Sequence, residues 1–237
     1  MKKQIAIWTL VIVLVGGGLF VLSRLSTSAS TSQSLPSYSL VPGPMGMTGG
    51  AGYYDISATG VISTDQVVAA VQRYLTSQNN PDLALARLRE FRWAYQVEIV
   101  ERSTGRHAYG LMVSAAAAQV SPKAGPNVFW NTKYGSLIAE IGGGYGMLGR
   151  MLSTDVSGEM TVTAQQARNI AEKAVKGLDA SLTLDDTTDT FYGFYEFQVA
   201  KEGKLVGEVD VNGYSGQVWY KDWGEPQLST QDLQSSR

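Results

Sequence analysis

The clearest fold signal in this chain lies in residues 191–223, FYGFYEFQVAKEGKLVGEVDVNGYSGQVWYKDW. Apolar side chains alternate with polar ones over 195–199, which is the period-two pattern of a half-buried strand, and Glu196 and Gln198 occupy the polar face. Glycine-containing turns separate two further predicted strands within 205–220. Three strands joined by tight turns predict an antiparallel meander, one face of which needs a cover.

A matching helix is predicted immediately before the meander. Thr163 and Gln166 have the spacing of a capping box, in which each side chain bonds the backbone of the other residue. Apolar residues then recur every three or four positions as far as Leu178, so the helix is amphipathic. Packed on the meander, this helix completes a unit over residues 161–224.

The same order of signals occurs about 100 residues earlier. The segment Ser63–Gln66 opens an apolar-periodic run, alternation follows over 95–99, and a glycine-containing turn lies at 103–106. We therefore predict two tandem units, 61–121 and 161–224, each a helix packed on a short antiparallel β-meander. The predicted fold class is α+β.

Three other segments complete the predicted organisation. Residues 83–88, LALARL, have helical propensity and predict an extra short helix in the first unit. Residues 122–160 form a connector whose aromatic first part can pack on the sheet and whose second part, rich in glycine and methionine, is expected to be flexible. Residues 225–237 form a polar tail that we expect to be frayed.

Residues 1–25 predict a membrane anchor or a secretion signal. Two lysines precede Ile5–Leu22, an uncharged stretch that at about 1.5 Å per residue just spans a ~30 Å hydrocarbon core as a transmembrane helix. The alternative is a cleaved signal, with Ser28–Ser30 as the small-residue cleavage site. The lysines favour a cytoplasmic N-terminus. Residues 26–60 then form a stalk, and the rest of the chain is expected to be extracytoplasmic.

Composition excludes several classes of function. The net charge of −2 and the absence of any basic run argue against nucleic-acid binding. The chain has no cysteine, which excludes disulfides, thiolate metal sites and thiol catalysis. His107 is the only histidine and lies beside a predicted hairpin turn, where we expect a solvated strand residue. No catalytic residue and no cofactor are therefore predicted.

The densest acidic group consists of Asp185, Asp186 and Asp189. Paired carboxylates can carry out acid–base chemistry or bind Ca²⁺. A solvated loop is the interpretation that we favour for them. A hydrolase is disfavoured because a Ser-His-Asp site would have to use His107, and a zinc site would need several ligands that the sequence does not supply.

The second unit resembles the PepSY domain family. The shared features are a helix opened by Thr-Ala-x-x-Ala, a polar loop, a strand rich in Tyr and Phe, a charged glycine turn and a closing strand of the form VNGYSGQV. The residues that carry this resemblance are Thr163, Ala164, Ala167, Ala171, Tyr195, Phe197, Val199, Gly203, Val209, Val211, Gly216, Gln217 and Val218. A more divergent resemblance in the first unit is carried by Thr64, Val68, Tyr95, Val97, Gly105, Val113 and Val120.

The resemblance implies binding rather than catalysis. PepSY domains occur in propeptides of secreted metalloproteases and in cell-envelope proteins, and they are thought to bind or inhibit peptidases. We therefore expect a non-enzymatic extracytoplasmic module whose partner is a protein or peptide, with a peptidase as the implied candidate. An exposed sheet edge could accept an added strand. The candidate partner-binding residues are the aromatic side chains Tyr192, Tyr214, Trp219, Tyr220 and Trp223.

An alternative is a metal-handling protein of the cell envelope. Four methionines lie in two glycine-rich segments, at Met45, Met47, Met147 and Met151. The methionine thioether is a soft ligand of the kind that suits copper(I), and silver(I) is a comparable soft ion. This hypothesis predicts that binding of copper(I) or silver(I) disappears when these methionines are replaced by leucine.

Overall fold

The computed structural model describes residues 61–141, 158–224 and 226–233, together with the short strands β1 (Ile12–Val15), β2 (Gly18–Val21) and β3 (Leu40–Pro42). β1 and β2 pair antiparallel to form a two-stranded sheet. The other described strands form two larger sheets, each with a helix against one face. The architecture is α+β with antiparallel sheets and few helices, as the sequence predicts.

The structure does not support a transmembrane helix over the N-terminal apolar stretch. β1 and β2 both lie within Ile5–Leu22, and Ile12 is paired with Val21 across the two strands. Branched Ile and Val side chains favour strands, and the Gly16–Gly18 run is unfavourable in a helix. Within the described part of the chain, none of the helices combines the length and the apolar character needed to cross a membrane.

Helix α1 (Thr64–Ser77) begins at Ser63, whose side chain and that of Gln66 form a complete capping box. The first sheet follows it, with the antiparallel strands β4 (Leu83–Glu90), β5 (Ala94–Glu101), β6 (His107–Ser114) and β7 (Val120–Pro122) adjacent in that order. Val71 on the helix and Val97 on β5 are fully buried in one hydrophobic cluster. This cluster holds α1 on one face of the sheet.

The predicted short helix over 83–88 is wrong, because these residues belong to β4. Leu85 is paired with Ile99 and Leu88 with Val97 on the neighbouring strand. Leu88 is also fully buried in the first hydrophobic cluster. Helix propensities differ by only about 0.7 kcal/mol per ordinary residue, so strand pairing and burial override them here.

The described part of the connector packs on the first sheet, as its aromatic character predicts. Helices α2 (Pro126–Phe129) and α3 (Gly135–Ile141) place Val128 and Ile138 in the first hydrophobic cluster. The amide of Asn127 continues the edge of β6: it accepts a hydrogen bond from the Gly110 N–H and donates one to the Gly110 carbonyl, both at 3.0 Å. A side chain therefore pairs with this edge in place of a strand.

Helix α4 (Ala164–Leu178) begins at Thr163 with a second complete capping box. The second sheet contains β8 (Leu182–Leu184), β9 (Asp189–Thr190), β10 (Phe194–Lys201), β11 (Lys204–Asn212) and β12 (Val218–Asp222). β10, β11 and β12 form the predicted meander, β8 and β9 pair with the free side of β10, and β3 joins β12 in parallel. Ala171 and Phe197 are fully buried between helix and sheet.

The C-terminal tail is not simply frayed. Its residues Ser229–Asp232 form β13, which pairs antiparallel with β4 of the first sheet. Backbone hydrogen bonds extend the pairing at both ends, from Leu228 to Glu90 and from Leu233 to Ala86. A segment that follows the second sheet in sequence thus completes the edge of the first sheet.

The two helix-and-sheet segments share details at an offset of 100 residues. The Tyr95 hydroxyl donates a 2.8 Å hydrogen bond to the Ile62 carbonyl, and the Tyr195 hydroxyl donates a 2.9 Å hydrogen bond to the Val162 carbonyl. Each of these bonds ties an interior strand of a sheet to the residue that precedes a helix N-cap. The same tyrosine hydrogen bond therefore fixes the start of both helices.

The faces opposite the helices pack against each other. The amide of Gln96 on β5 donates a 3.2 Å hydrogen bond to Glu208 on β11, and Glu196 and Gln198 on β10 are buried. The expectation that Glu196 and Gln198 lie on an open polar face is therefore wrong, because a second sheet covers that face. We call the buried polar side chains between the two sheets the inter-sheet layer.

Candidate functional site

The first group of ionisable residues in the inter-sheet layer surrounds the only histidine. We call it the His107 cluster, and it consists of Arg87, Arg89, Glu98, His107 and Asp189. These side chains come from β4, β5, β6 and β9, so both sheets contribute. The arrangement contains two guanidinium groups for two carboxylates, and its fixed charges balance.

The contacts within the His107 cluster are short. Arg89 forms an ion pair with Glu98, and Arg87 Nη1 lies 2.8 Å from Asp189 Oδ2. The histidine lies between the carboxylates, with Nδ1 3.3 Å from Glu98 Oε2 and Nε2 3.4 Å from Asp189 Oδ1. Its side chain is only 16% exposed, so the prediction of a solvated strand residue is wrong. The solvated loop predicted for Asp189 is wrong too, since that carboxylate is buried.

The electrostatics of the His107 cluster follow from its ion pairs. Burial alone would raise the pKa of Glu98, but the charges of Arg89, His107 and Arg87 outweigh burial and hold that pKa well below its ordinary value. Burial lowers the pKa of His107, and the neighbouring carboxylates of Glu98 and Asp189 reverse this and raise it above its ordinary value. Both pKa shifts therefore favour the ionised form of the group concerned.

The second group lies on β10 and β11. We call it the Asp210 cluster, and it consists of Glu196, Glu208, Asp210 and Lys123. Glu196 is paired directly with Asp210 across the two strands, and Gln198 with Glu208. Lys123, which follows β7 of the first sheet, reaches across the layer and places Nζ 2.6 Å from Glu196 and 2.8 Å from Glu208.

The charges of the Asp210 cluster do not balance. Burial would raise the pKa of Glu208, but Lys123 and Lys221 lower it to about 2. Burial raises the pKa of Glu196 to about 7, because Lys123 only partly offsets it and the charges of Glu208 and Glu98 add to it. Burial and the neighbouring charge of Glu196 raise the pKa of Asp210 well above its ordinary value. One ammonium is shared among three buried carboxylates.

A third group is centred on Glu101 at the end of β5. Its carboxylate accepts hydrogen bonds from Thr104 at 2.8 Å, from Tyr134 and Tyr192 at 2.6 Å, and from Lys133. Burial would raise its pKa, but these donors lower it to about 2. Tyr192, a predicted partner-binding residue, is thus engaged in a contact between the two sheets.

The other predicted partner-binding aromatics pack against different neighbours. Trp223 is buried edge-on to Phe91, with ring centroids 4.9 Å apart. Trp219 is half-buried and lies edge-on to Trp130 of the connector at 6.5 Å. Tyr220 packs on the α4 core. The Tyr214 hydroxyl donates a 2.9 Å hydrogen bond to the carbonyl of Gly158.

Sequence reasoning missed one exposed aromatic residue. Trp93, in the turn between β4 and β5, is 44% exposed and stacks on Phe91 at a centroid distance of 6.3 Å. Phe91 is itself buried against Trp223, so the exposed indole rests on a rigid aromatic base. The available signal was the sequence FRW just before the alternating strand, where a large aromatic residue sits in a turn.

Strand addition at the outer edges of β4 and β12 competes with β13 and β3, which occupy them. The methionines proposed for soft metal binding lie outside the described residues: Met45, Met47, Met147 and Met151.

The fold and the site together define an α+β module of two helix-covered sheets with a charged layer between them. Comparison with known families gives a match: the model described as PepSY, peptidase propeptide and YPEB domain, covers residues 161–219. The resemblance predicted for the second unit is confirmed, because residues 161–219 match the PepSY model. At a coarse level such a domain indicates a regulatory or binding module.

Two further comparisons are less informative. A search of curated proteins finds no match. Among solved structures, the chain is similar to the Bacillus megaterium YpeB C-terminal domain, with 12% sequence identity and a TM-score of 0.24. The similarity covers 68% of this chain and 62% of that one, so the chain spans less than two thirds of the structure that it matches.

Proposed function

We propose that this protein is a non-enzymatic extracytoplasmic binding module. Its second unit, 161–224, is the PepSY domain, and the first unit, 61–121, is a divergent copy of it. The family match over 161–219 supports the assignment of the second unit. The matched capping boxes, and the tyrosine hydrogen bonds at an offset of 100 residues, support the copy.

The exposure of the Trp93 side chain is the observation on which the proposed binding function rests. Tryptophan is enriched among residues that dominate binding energy, especially where a rigid surround excludes water. The exposed Trp93 indole is supported by Phe91, which is buried against Trp223. Val61 is also strongly exposed at this end of the unit, where Ile62 and Trp93 both bond the backbone of Ala115.

The proposed partner is a protein or peptide, and the family description makes a peptidase the first candidate. A side-chain anchor is better supported than strand addition, because β13 and β3 already occupy the outer edges of β4 and β12. The basic head, the apolar stretch and the Ser/Thr-rich segment that follows it favour an extracytoplasmic location, either anchored or secreted.

The test is a binding measurement with the full-length chain and purified extracytoplasmic peptidases of the native organism. Trp93→Ala should weaken binding at least about tenfold, since a hot-spot truncation costs 2 kcal/mol or more. The matched control is Leu178→Ala, which removes an equally exposed apolar side chain from the end of α4. Equal binding by wild type and Trp93→Ala would exclude this surface, and the absence of any bound or inhibited peptidase would argue against the peptidase partner.

A further inference from the structure

The carboxylates of the Asp210 cluster are spaced like the ligands of a metal ion. Glu196, Glu208 and Asp210 each offer one oxygen, and these oxygens all lie within 4.8 Å of one another. Oxygens on opposite sides of a Ca²⁺ ion, each at about 2.4 Å, are about 4.8 Å apart. All three side chains are buried, so a bound ion would lose most of its water shell to protein oxygens.

The buried charges of the cluster leave room for a divalent cation. Three carboxylates face one buried ammonium, that of Lys123, which leaves an excess of two negative charges when all are ionised. Lys221 lies 3.7 Å from Glu208 Oε1 and its side chain is 35% exposed, so solvent screens its contribution. Burying three carboxylates with one ammonium is unfavourable unless a further positive charge binds in the cluster.

Two buried oxygen atoms of this region have no hydrogen-bond partner among the described residues. Asp210 is only 2% exposed, yet its buried Oδ1 has no hydrogen-bond partner. The buried Oε1 of Gln198 also lacks a partner, and the Nε2 of the same amide donates a 3.1 Å hydrogen bond to Glu196. The amide therefore lies beside the acidic group. A buried oxygen without a hydrogen-bond partner needs an explanation, and a bound ion beside the carboxylates would supply one.

We propose that the Asp210 cluster binds one divalent cation of the oxygen-preferring class, Ca²⁺, Mg²⁺ or Mn²⁺. The ligands are Glu196, Glu208 and Asp210. Carboxylate and amide oxygens are the ligands that these hard cations prefer. This site is independent of the Trp93 surface and of the methionines.

Lys123 and the cation can occupy the cluster together because each carboxylate has two oxygens. Lys123 uses Oε2 of Glu196 and Oε2 of Glu208. Oε1 of Glu208 lies 3.7 Å from Nζ of Lys221, and Oε1 of Glu196 accepts the 3.1 Å hydrogen bond from Gln198. With the cation bound, three carboxylates balance one buried ammonium and one divalent ion. The cation thereby fixes the Asp210–Glu196 pair on the second sheet beside a lysine supplied by the first.

The His107 cluster carries no equivalent proposal, although its Glu98, His107 and Asp189 atoms are also closely spaced. Arg87 and Arg89 already contact both carboxylates there. A divalent ion would have to enter against two fixed guanidinium charges, which cannot lose a proton. The difference in charge balance, and not the spacing alone, selects the Asp210 cluster.

The test is calorimetric titration of the full-length chain, freed of metal with a chelator, with Ca²⁺, Mg²⁺ and Mn²⁺ at pH 8. We expect one equivalent of at least one of these ions to bind. The thermal midpoint should rise by roughly 5 °C or more once that ion exceeds its Kd a hundredfold. Between pH 8 and pH 6 the affinity should fall at least tenfold, because protons compete for Glu196 and Asp210.

Asp210→Asn is the decisive variant, and Glu202→Gln, in the exposed turn of the same hairpin, is its control. Asp210→Asn removes one ligand charge without changing shape, so it should lower the affinity at least about 100-fold, whereas Glu202→Gln should bind like wild type. Saturable binding that Asp210→Asn retains would overturn the assignment. So would a wild-type chain that binds none of the three ions at pH 8, which would mean that protons neutralise the cluster.

Discussion

The two acidic clusters of the inter-sheet layer differ in how their buried charges are balanced. In the His107 cluster, Arg87 and Arg89 match two carboxylates. In the Asp210 cluster, the buried ammonium of Lys123 contacts Glu196 and Glu208, and Oδ1 of Asp210 has no hydrogen-bond partner among the described residues. The carboxylates of both groups are buried to a similar degree. The comparison shows that burial does not decide the state of a carboxylate until the buried cations around it are counted.

The difference originates in the corresponding strands of the two sheets, β5 and β10. At the position after the core tyrosine, β5 has Gln96 where β10 has Glu196, and two residues later β5 has Glu98 where β10 has Gln198. The neighbouring strand then supplies the opposite charge in one sheet and the same charge in the other. Arg87 is paired with Glu98, but Asp210 is paired with Glu196. Like charges directly opposite each other are unfavourable.

The largest expected effect comes from removing the only buried cation of the Asp210 cluster. Lys123→Met should lower the free energy of unfolding by about 3–5 kcal/mol, because Glu196 and Glu208 lose their buried partner. Chemical denaturation in the presence of a chelator measures it. Lys133→Met is the control, since Lys133 is 49% exposed and its pair with Glu101 should be worth about 1 kcal/mol or less. A cost of Lys123→Met as small as that of the control would show that the layer tolerates unpaired carboxylates.

The second expectation is that neutralising an acid has opposite signs in the two clusters. Glu98→Gln should destabilise the chain by about 3 kcal/mol, because two guanidinium groups lose a buried counter-charge. Asp210→Asn, measured without metal at pH 8, should instead stabilise it by about 1–2 kcal/mol, because an amide carries no buried charge. Paired denaturation curves at pH 8 test both. If the two substitutions shift stability in the same direction, the contrast between the clusters fails.

The third expectation concerns pH in the absence of metal. A carboxyl whose pKa is raised in the folded state binds its proton more tightly there. Glu196 therefore stabilises the fold fully below its ordinary pKa of about 4.3, and this contribution is lost as the pH rises to about 7. The local slope is at most about 1.4 kcal/mol per pH unit. Unfolding curves between pH 4 and pH 8 measure it. Glu196→Gln should flatten this part of the profile, and an unchanged profile would show that Glu196 is not the titrating group.

The local parts of this structure could be predicted from the sequence, whereas the inter-sheet layer could not. The capping box at Thr163 and the alternation around Phe197 are short-range signals, and both lead to the observed helix and strand. The polar face of the same strand reads as solvated, because only the packing of a second sheet buries Glu196 and Gln198. No local sequence pattern predicts that the two sheets pack against each other.

Long-range pairing also explains the other differences. LALARL favours a helix locally, and it becomes β4 because Leu88 is paired with Val97 and buried. The polar tail becomes β13 because β4 offers an unpaired edge, to which Arg87 adds a 3.0 Å ion pair with Asp232. His107 and Asp189 are 82 positions apart, and meet only when the two sheets stack. The periodicity of a single sequence gives no signal for contacts between residues so far apart in the chain.

The smallest expected effect decides whether Lys221 belongs in the charge balance. Its side chain is 35% exposed and its Nζ is 3.7 Å from Glu208, so Lys221→Met should change the free energy of unfolding by about 1 kcal/mol or less. The measurement is denaturation at low and high salt, beside Lys123→Met. A cost near that of Lys123→Met would make Lys221 a second true counter-charge. The Asp210 cluster would then lack one positive charge and not two, and one proton on Asp210 would restore the balance that the His107 cluster has from its arginines.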